Sequence, residues 1–183
     1  MKIQPSEITL KNGEKYLVRS ALKSDAVELL KLLYQWSSET EYLLRTPVEC
    51  TVTLQDEEEL LEMYEMHPLR AMILAEKDGE IVASTNVYPR TELSKGVHRA
   101  VFGIAINQSE WGKGLGIEMT KLAIDTARTL GFRQLELEVF SENVRARKLY
   151  EKAGFIEYGR LKDAAKKSDG TFMDEISMVK VLF

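Results

Sequence analysis

Two rhythms of hydrophobic and polar positions divide this chain, and the points where one gives way to the other mark out an α/β succession. Residues 16–19 read as a short first strand. Ala26, Leu29, Leu30, Leu32 and Leu33 then recur at helical spacing, with Ser24 placed to cap the helix. Residues 56–66 predict a second, acidic helix that ends before Pro68. Strands follow over 71–75 and 80–88, joined by Asp78-Gly79, a dipeptide that favours a tight hairpin turn. A third strand runs over 97–106. Leu115, Met119, Leu122, Ala123, Thr126 and Leu130 next share one helical face, and Gly131 suits the position just past the helix end. Over 134–140 the period drops to two, with Leu135, Leu137 and Val139 set against Gln134, Glu136 and Glu138. A short helix over 144–153 stops at Gly154, and strands over 155–161 and 172–181 flank Asp169-Gly170. The pattern predicts a largely antiparallel first half, a strand–loop–helix–strand unit and a closing hairpin, all in one domain over 1–183.

At 183 residues, 44% hydrophobic and 30% charged, the chain can bury a sizeable core. A net charge of −4 and a pI near 5.4 argue against general nucleic-acid binding, which draws on a basic surface. Cys50 is the only cysteine, so no internal disulfide forms and a reducing compartment is suited. Neither His67 nor His98 stands at ligand spacing from another donor, so no metal site is expected. Residues 1–10 lack the apolar stretch of a signal peptide, and no run nears the roughly 18 apolar residues of a membrane span. The expectation is a cytoplasmic protein without membrane or nucleic-acid partners; a homodimer is left open.

Candidate chemistry concentrates in Glu110-Trp111-Gly112-Lys113-Gly114-Leu115-Gly116. Three glycines at alternate positions allow sharp turns and close approach of the backbone to a guest. A helix that starts there aims free amides and the positive end of its dipole into the turn, which suits a phosphate. A plain strand-to-helix turn would use the same glycines. Two phosphate loops are excluded. Gly-x-x-x-x-Gly-Lys-Ser/Thr is absent, and a dinucleotide Gly-x-Gly-x-x-Gly counted from Gly112 would need glycine where Ile117 stands. Further on, Asn143, Ala146, Tyr150 and Gly154 sit at intervals of three, four and four, one face of a helix with Asn143 at its start. Alone they read as a helix cap and a packed tyrosine. Joined to the glycine loop they form a rarer combination.

Ile104-Ala105-Ile106, Trp111-Gly112-Lys113-Gly114-Leu115-Gly116, Leu137-Glu138-Val139 and Asn143-x-x-Ala146-x-x-x-Tyr150-x-x-x-Gly154-Phe155 together resemble the GNAT N-acetyltransferase superfamily. The resemblance is strongest over 102–155, and the order of elements extends it loosely over the whole chain. It implies a GNAT-like acyl-CoA N-acyltransferase fold of α/β class, a mixed, mostly antiparallel sheet flanked by helices. It also implies acetyl-CoA as cosubstrate, with no metal. Members often carry Gln or Arg where Trp111 stands; an aromatic residue there resembles the ribosomal-protein acetyltransferase branches.

By this resemblance, the pantetheine arm of acetyl-CoA runs along the backbone of Ile104, Ala105 and Ile106 like an added strand. Its pyrophosphate rests on the loop that begins at Trp111, on amides from Gly112 through Lys113, Gly114 and Leu115 to Gly116. Asn143 bonds to the pantetheine arm or the reacting region. Tyr150 is implied as proton donor to the leaving thiolate and Glu138 as the base, a water chain being the alternative to Glu138. Lys113, Arg145, Arg147 and Lys148 either approach phosphates or stay solvated. The acids Glu39, Glu41, Glu49 and 56–59 suit a cationic amine acceptor, or a plain solvated face. The implied activity is acetyl transfer from acetyl-CoA to a primary amine, of a small molecule or a peptide, by direct attack in a ternary complex. The alternative is a non-catalytic acyl-CoA-binding or sensory module on the same fold, against which the presence of both Asn143 and Tyr150 speaks.

Overall fold

In a computed structural model, which describes residues 3–183, these rhythms become one eight-stranded sheet packed between helices. The strands are β1 (Ser6–Thr9), β2 (Lys15–Ser20), β3 (Ala71–Lys77), β4 (Glu80–Pro89), β5 (Arg99–Ile106), β6 (Gln134–Phe140), β7 (Ile156–Lys166) and β8 (Phe172–Val181). The helices are α1 (Ala26–Glu39), α2 (Leu54–Met66), α3 (Leu115–Thr129) and α4 (Val144–Lys152). Strand order is β1-β2-β3-β4-β5-β6-β8-β7, and only β5 and β6 pair in parallel. That pair needs a crossover, which α3 supplies. Among the described residues no helix is long and apolar enough to cross a membrane.

Local chemistry accounts for most element ends. Asp78 and Gly79 both take positive φ, 53° and 86°, as the tight β3–β4 hairpin demands. Ser24 does not cap α1, contrary to the sequence expectation. It lies in a single 3-10 turn, and Asp25 holds the corner instead, accepting the Leu22 amide at 2.7 Å while pairing with Arg19. The second helix starts two residues earlier than its acidic run, because Thr53 and Asp56 form a reciprocal capping box. The short strand β1 was not legible, since Ser6–Thr9 carries no apolar alternation.

Leu29, Leu32 and Trp36 of α1 and Leu61 and Tyr64 of α2 bury against Met72, Leu74 and Ile81 on one face of the sheet. Ala123, Ile124 and Ala127 of α3, with Tyr150 of α4, bury on the other face against Phe102, Leu135, Leu137 and Ile176. Each buried Leu, Ile or Met among them stabilises the fold by about 1.5–3 kcal/mol. One part of the β6 alternation is corrected. Glu136 stands on the polar side of that alternation, yet it is 1% exposed, held by Arg99 from β5 with Nη2 to Oε2 at 2.8 Å.

The sheet does not stay closed. β5 and β6 pair only through Arg99–Gln134, Ala100–Leu135 and Val101–Glu136. Beyond that point β5 follows β4 to Ile106, and β6 follows β8 to Phe140. Phe102, the first residue past the last pair, meets the Tyr150 ring edge-on at 5.9 Å, and both pack on Phe155. Three aromatic rings thus wedge the fork where the two arms part.

Candidate active site

The fork opens into a cavity of about 700 Å³ lined by both arms, the glycine loop, α4 and the end of α1. Asn107 N–H donates to Val82 O at 2.9 Å. Alternation along the antiparallel ladder then commits the main-chain groups of Gly103 and Ala105 to β4 and turns those of Ile104 and Ile106 into the cleft. The Ile106 carbonyl accepts the Trp111 Nε1 proton at 2.8 Å, which ties the loop to the end of β5.

The three glycines do different work. Gly112 and Gly114 take φ of 77° and 104°, the left-handed region, and a Cβ on either would meet nothing within 4 Å. They make the turn and leave its floor open. Gly116 already lies in α3, where a Cβ would stand 2.7 Å from Leu149 Cδ1; its absence lets α3 approach α4. No side chain caps α3 at Gly114, so the first-turn amides keep free donors.

A buried polar network holds the loop from behind. Glu110, 6% exposed, accepts from the Tyr16 hydroxyl and from Lys113 Nζ at 3.1 Å, with Lys77 Nζ at 3.7 Å. Glu14 closes the network, 2.6 Å from Lys77 and 3.4 Å from Lys113. Burial works to raise the Glu110 carboxyl, but the Tyr16 bond and the two lysines outweigh it, so its pKa falls below the ordinary value. Burial and the same carboxylate push the Tyr16 hydroxyl up.

Of the residues singled out from sequence, Ile104, Ala105, Ile106, Trp111, Gly112, Gly114, Gly116, Glu138, Asn143 and Tyr150 all line the cavity. Lys113 and Leu115 do not. The Lys113 ammonium is committed to Glu110 and Glu14, and the Leu115 side chain is buried under the sheet, so either would contribute through its amide alone. Asn143 is the N-cap of α4: its Oδ1 accepts the Ala146 amide at 3.2 Å, which leaves Nδ2 to donate elsewhere. Next to it the Arg145 guanidinium lies 3.4 Å over the Trp111 ring, a cation–π contact across the mouth of the loop. The Tyr150 ring sits in the aromatic wedge, and burial pushes its hydroxyl up to about 12.

Glu138 is held by Arg90, Nη1 to Oε1 at 3.0 Å. Sequence reading missed its neighbour. Glu175 of β8 stands opposite Phe140, so it shares the sheet face of Glu138, and it lines the same cavity. Burial and the Glu138 charge raise its pKa, and no cation pairs with it among the described residues. No local motif marks it, since β8 is only partly buried and Asp174 stands beside it. The acidic wall of the first two helices mostly serves structure: Glu39 accepts the Gln108 amide, while Glu49 and Asp56 cap their own turns.

A family model described as Acetyltransferase (GNAT) family matches residues 30–155. The fold is similar to that of an acetyltransferase of the GNAT family from Streptococcus pneumoniae, with a TM-score of 0.87 and 28% identity over 92% of this chain and 99% of that one. It is also similar to YncA from Salmonella typhimurium, solved with its cofactor acetyl-CoA, at a TM-score of 0.80 and 18% identity over 91% and 93% of the two chains. At that identity the likeness is one of fold. A mycothiol acetyltransferase from Beutenbergia cavernae is 40% identical over 55 residues, 30% of this chain and 18% of that protein. The chain thus matches only a minor part of its curated relatives, 36% in the case of YycN from Bacillus subtilis, described as an uncharacterized N-acetyltransferase.

Proposed function

The chain belongs to the GNAT acetyltransferase family, and on that premise we propose that it transfers the acetyl group of acetyl-CoA to a primary amine by direct attack. The observation that carries this reading is the forked sheet: a free edge of β5 runs to an uncapped glycine loop, with Tyr150 at the crotch. These features fit acetyl-CoA. Main-chain groups of Ile104 and Ile106 would hold the pantetheine arm, and amides from Gly112 to Gly116 the pyrophosphate. Asn143 Nδ2 would donate to the arm. When bound, acetyl-CoA supplies an activated thioester carbonyl.

The chain's own groups manage the protons. An alkylammonium has a pKa near 10.4, so it must lose a proton before it attacks; the bound form needs an acceptor beside it. Glu138 and Glu175 form that acceptor, and the member without a cation partner, Glu175, takes the proton. As the N–C bond forms and the C–S bond breaks, the Ile106 amide steadies the oxyanion and the attacking nitrogen releases its remaining surplus proton to water. Tyr150 donates to the departing thiolate. With its hydroxyl near 12, full transfer to a thiolate of pKa about 8.5 would be uphill by about 5 kcal/mol, so Tyr150 acts as a hydrogen-bond donor and solvent supplies the proton.

The test is release of free thiol from acetyl-CoA across a panel of primary amines, with the acetylated product identified. Amine-dependent release supports the reading. Acetyl-CoA binding with no release for any amine would favour the non-catalytic module instead.

A further inference from the structure

Phe102 brings the aromatic wedge to one face of the sheet; on the opposite face the same fork is held by charge. Alternation turns Glu136 and Glu138 of β6 onto that face, with Arg99 and Val101 of β5 beside them. Glu136 is buried, bonded by Arg99 and, at 3.5 Å, by the Tyr158 hydroxyl. Arg90 stands just past the end of β4, its amide donating to Arg99 O at 2.9 Å. Its side chain reaches both acids: Nε lies 3.5 Å from Glu136 Oε2, and Nη1 donates to Glu138 Oε1 at 3.0 Å. One guanidinium thus ties a buried, fixed carboxylate to one that lines the cavity.

Glu175 shares this face and this cavity but not the clamp. Its carboxyl is raised by burial and then by the Glu138 charge. The other charges nearby are spent or unengaged. Tyr88 of β4 stays protonated, pushed up by burial and by Glu138. Arg160 of β7 is taken by Glu157 and Asp174. Glu39 at the end of α1 accepts the Gln108 amide, and Glu110 belongs to the network behind the loop. Arg145, Lys148 and Lys152 of α4 line the cavity without an ion pair to either acid among the described residues. Arg90 is therefore the cation that governs the pair, and it acts on one member only.

We propose that Arg90 is a positioning residue of the acetyl transfer: by clamping Glu138 to the buried Glu136 it keeps that carboxylate anionic and in place, and so reserves the amine's proton for Glu175. The inference rests on the acetyltransferase reading with Glu175 as base, and adds the residue that divides labour between the two acids. Without the Arg90 charge, Glu138 and Glu175 face each other uncompensated, and such a pair takes up a shared proton at higher pH. That proton occupies the seat meant for the one the amine must lose.

The Arg90 side chain is 38% exposed and Arg99 still holds Glu136, so Arg90→Gln removes the charge without opening the core. Two readouts are taken: kcat against pH with acetyl-CoA and an accepted amine, and the carboxyl resonances of isotope-labelled glutamate, assigned with Glu138→Gln and Glu175→Gln. Arg90→Gln should move the acid limb of kcat up by about one pH unit, a loss of about 10-fold on the limb, with the high-pH plateau retained. The Glu175 resonance should titrate higher by a similar amount in the protein without substrate. Arg90→Lys, which keeps the charge, should bring the limb back to within about half a unit. An unmoved limb, a loss by one factor at every pH, or no recovery in Arg90→Lys would overturn the inference while leaving the acetyltransferase reading intact. If no amine releases thiol, the transferase fails and the resonance decides alone: a shifted Glu175 titration in Arg90→Gln upholds the hold of Arg90 on the pair, and an unshifted one overturns it.

Discussion

The two sides of the cleft are built by opposite rules. Behind the glycine loop, Glu110, Tyr16, Lys77, Lys113 and Glu14 satisfy one another in a closed network. On the arm of β6 and β8, Glu138 leans on Arg90 while Glu175 has no cation partner among the described residues. A closed network fixes one conformation, which suits a loop that must present backbone amides in a set array. Unpaired acceptors are tolerated only where something else supplies the donors. The contrast separates a side built for a constant guest from a side built for a chosen one.

Breaking the closed side at its backbone should have the largest effect. Gly114→Val places a β-branched residue at φ of 104°, where no L-residue rests easily, and turns the following amides away. Acetyl-CoA affinity should fall by about 100-fold or more by calorimetry, roughly 2.8 kcal/mol of binding. A Kd within twofold of wild type would remove the loop from the cofactor site. Next comes the crotch of the fork. Tyr150→Phe keeps the ring packing on Phe102 and Phe155, so Tm and acetyl-CoA affinity should hold while kcat drops by about 10- to 100-fold. Unchanged kcat would assign Tyr150 to the core alone.

The carboxylate pair sharpens the comparison from the open side. Glu175→Gln should lower kcat by about 10-fold at neutral pH. In the wild type, activity should fall as pH drops through the raised Glu175 pKa. Glu138→Gln removes the negative neighbour, lowers the Glu175 pKa, and should move that acid limb to lower pH. Collapse of the rate at every pH in Glu138→Gln, with Glu175→Gln silent, would make Glu138 the base. The smallest effect belongs to the network itself. Glu110→Gln should raise KM for acetyl-CoA a fewfold and destabilise the fold by about 1–2 kcal/mol. Because the fold lowers the Glu110 pKa, its stabilisation is present above the unfolded value of about 4.3 and fades as pH falls through the lower folded value. The Tm difference between wild type and Glu110→Gln should therefore shrink on acidification; a constant difference would show that the carboxylate charge contributes nothing.

What the sequence made legible was whatever its own neighbours determine. The glycine turn, the Asn143–Tyr150 helix face and the Asp78-Gly79 hairpin each depend on residues a few positions apart, and each stands as read. Illegible features depend on partners far along the chain. By sequence Lys113 either approaches phosphate or stays solvated, but Glu14 and Glu110 hold it. Glu136 looked solvated by alternation, but Arg99 on the next strand buries it. Glu175 gives no local motif at all; its interest comes from the cavity it faces and from the lack, among the described residues, of a cation beside it.

The aromatic wedge has one more consequence. The Tyr150 ring holds the two arms apart, while the proposed chemistry asks only for its hydroxyl. Architecture and reactivity meet in one side chain yet are divided between its atoms. Mutation can therefore delete one oxygen and leave the fork standing, so a chain of this design lies a single nucleotide-scale step from a folded, silent receptor for the same acyl carrier.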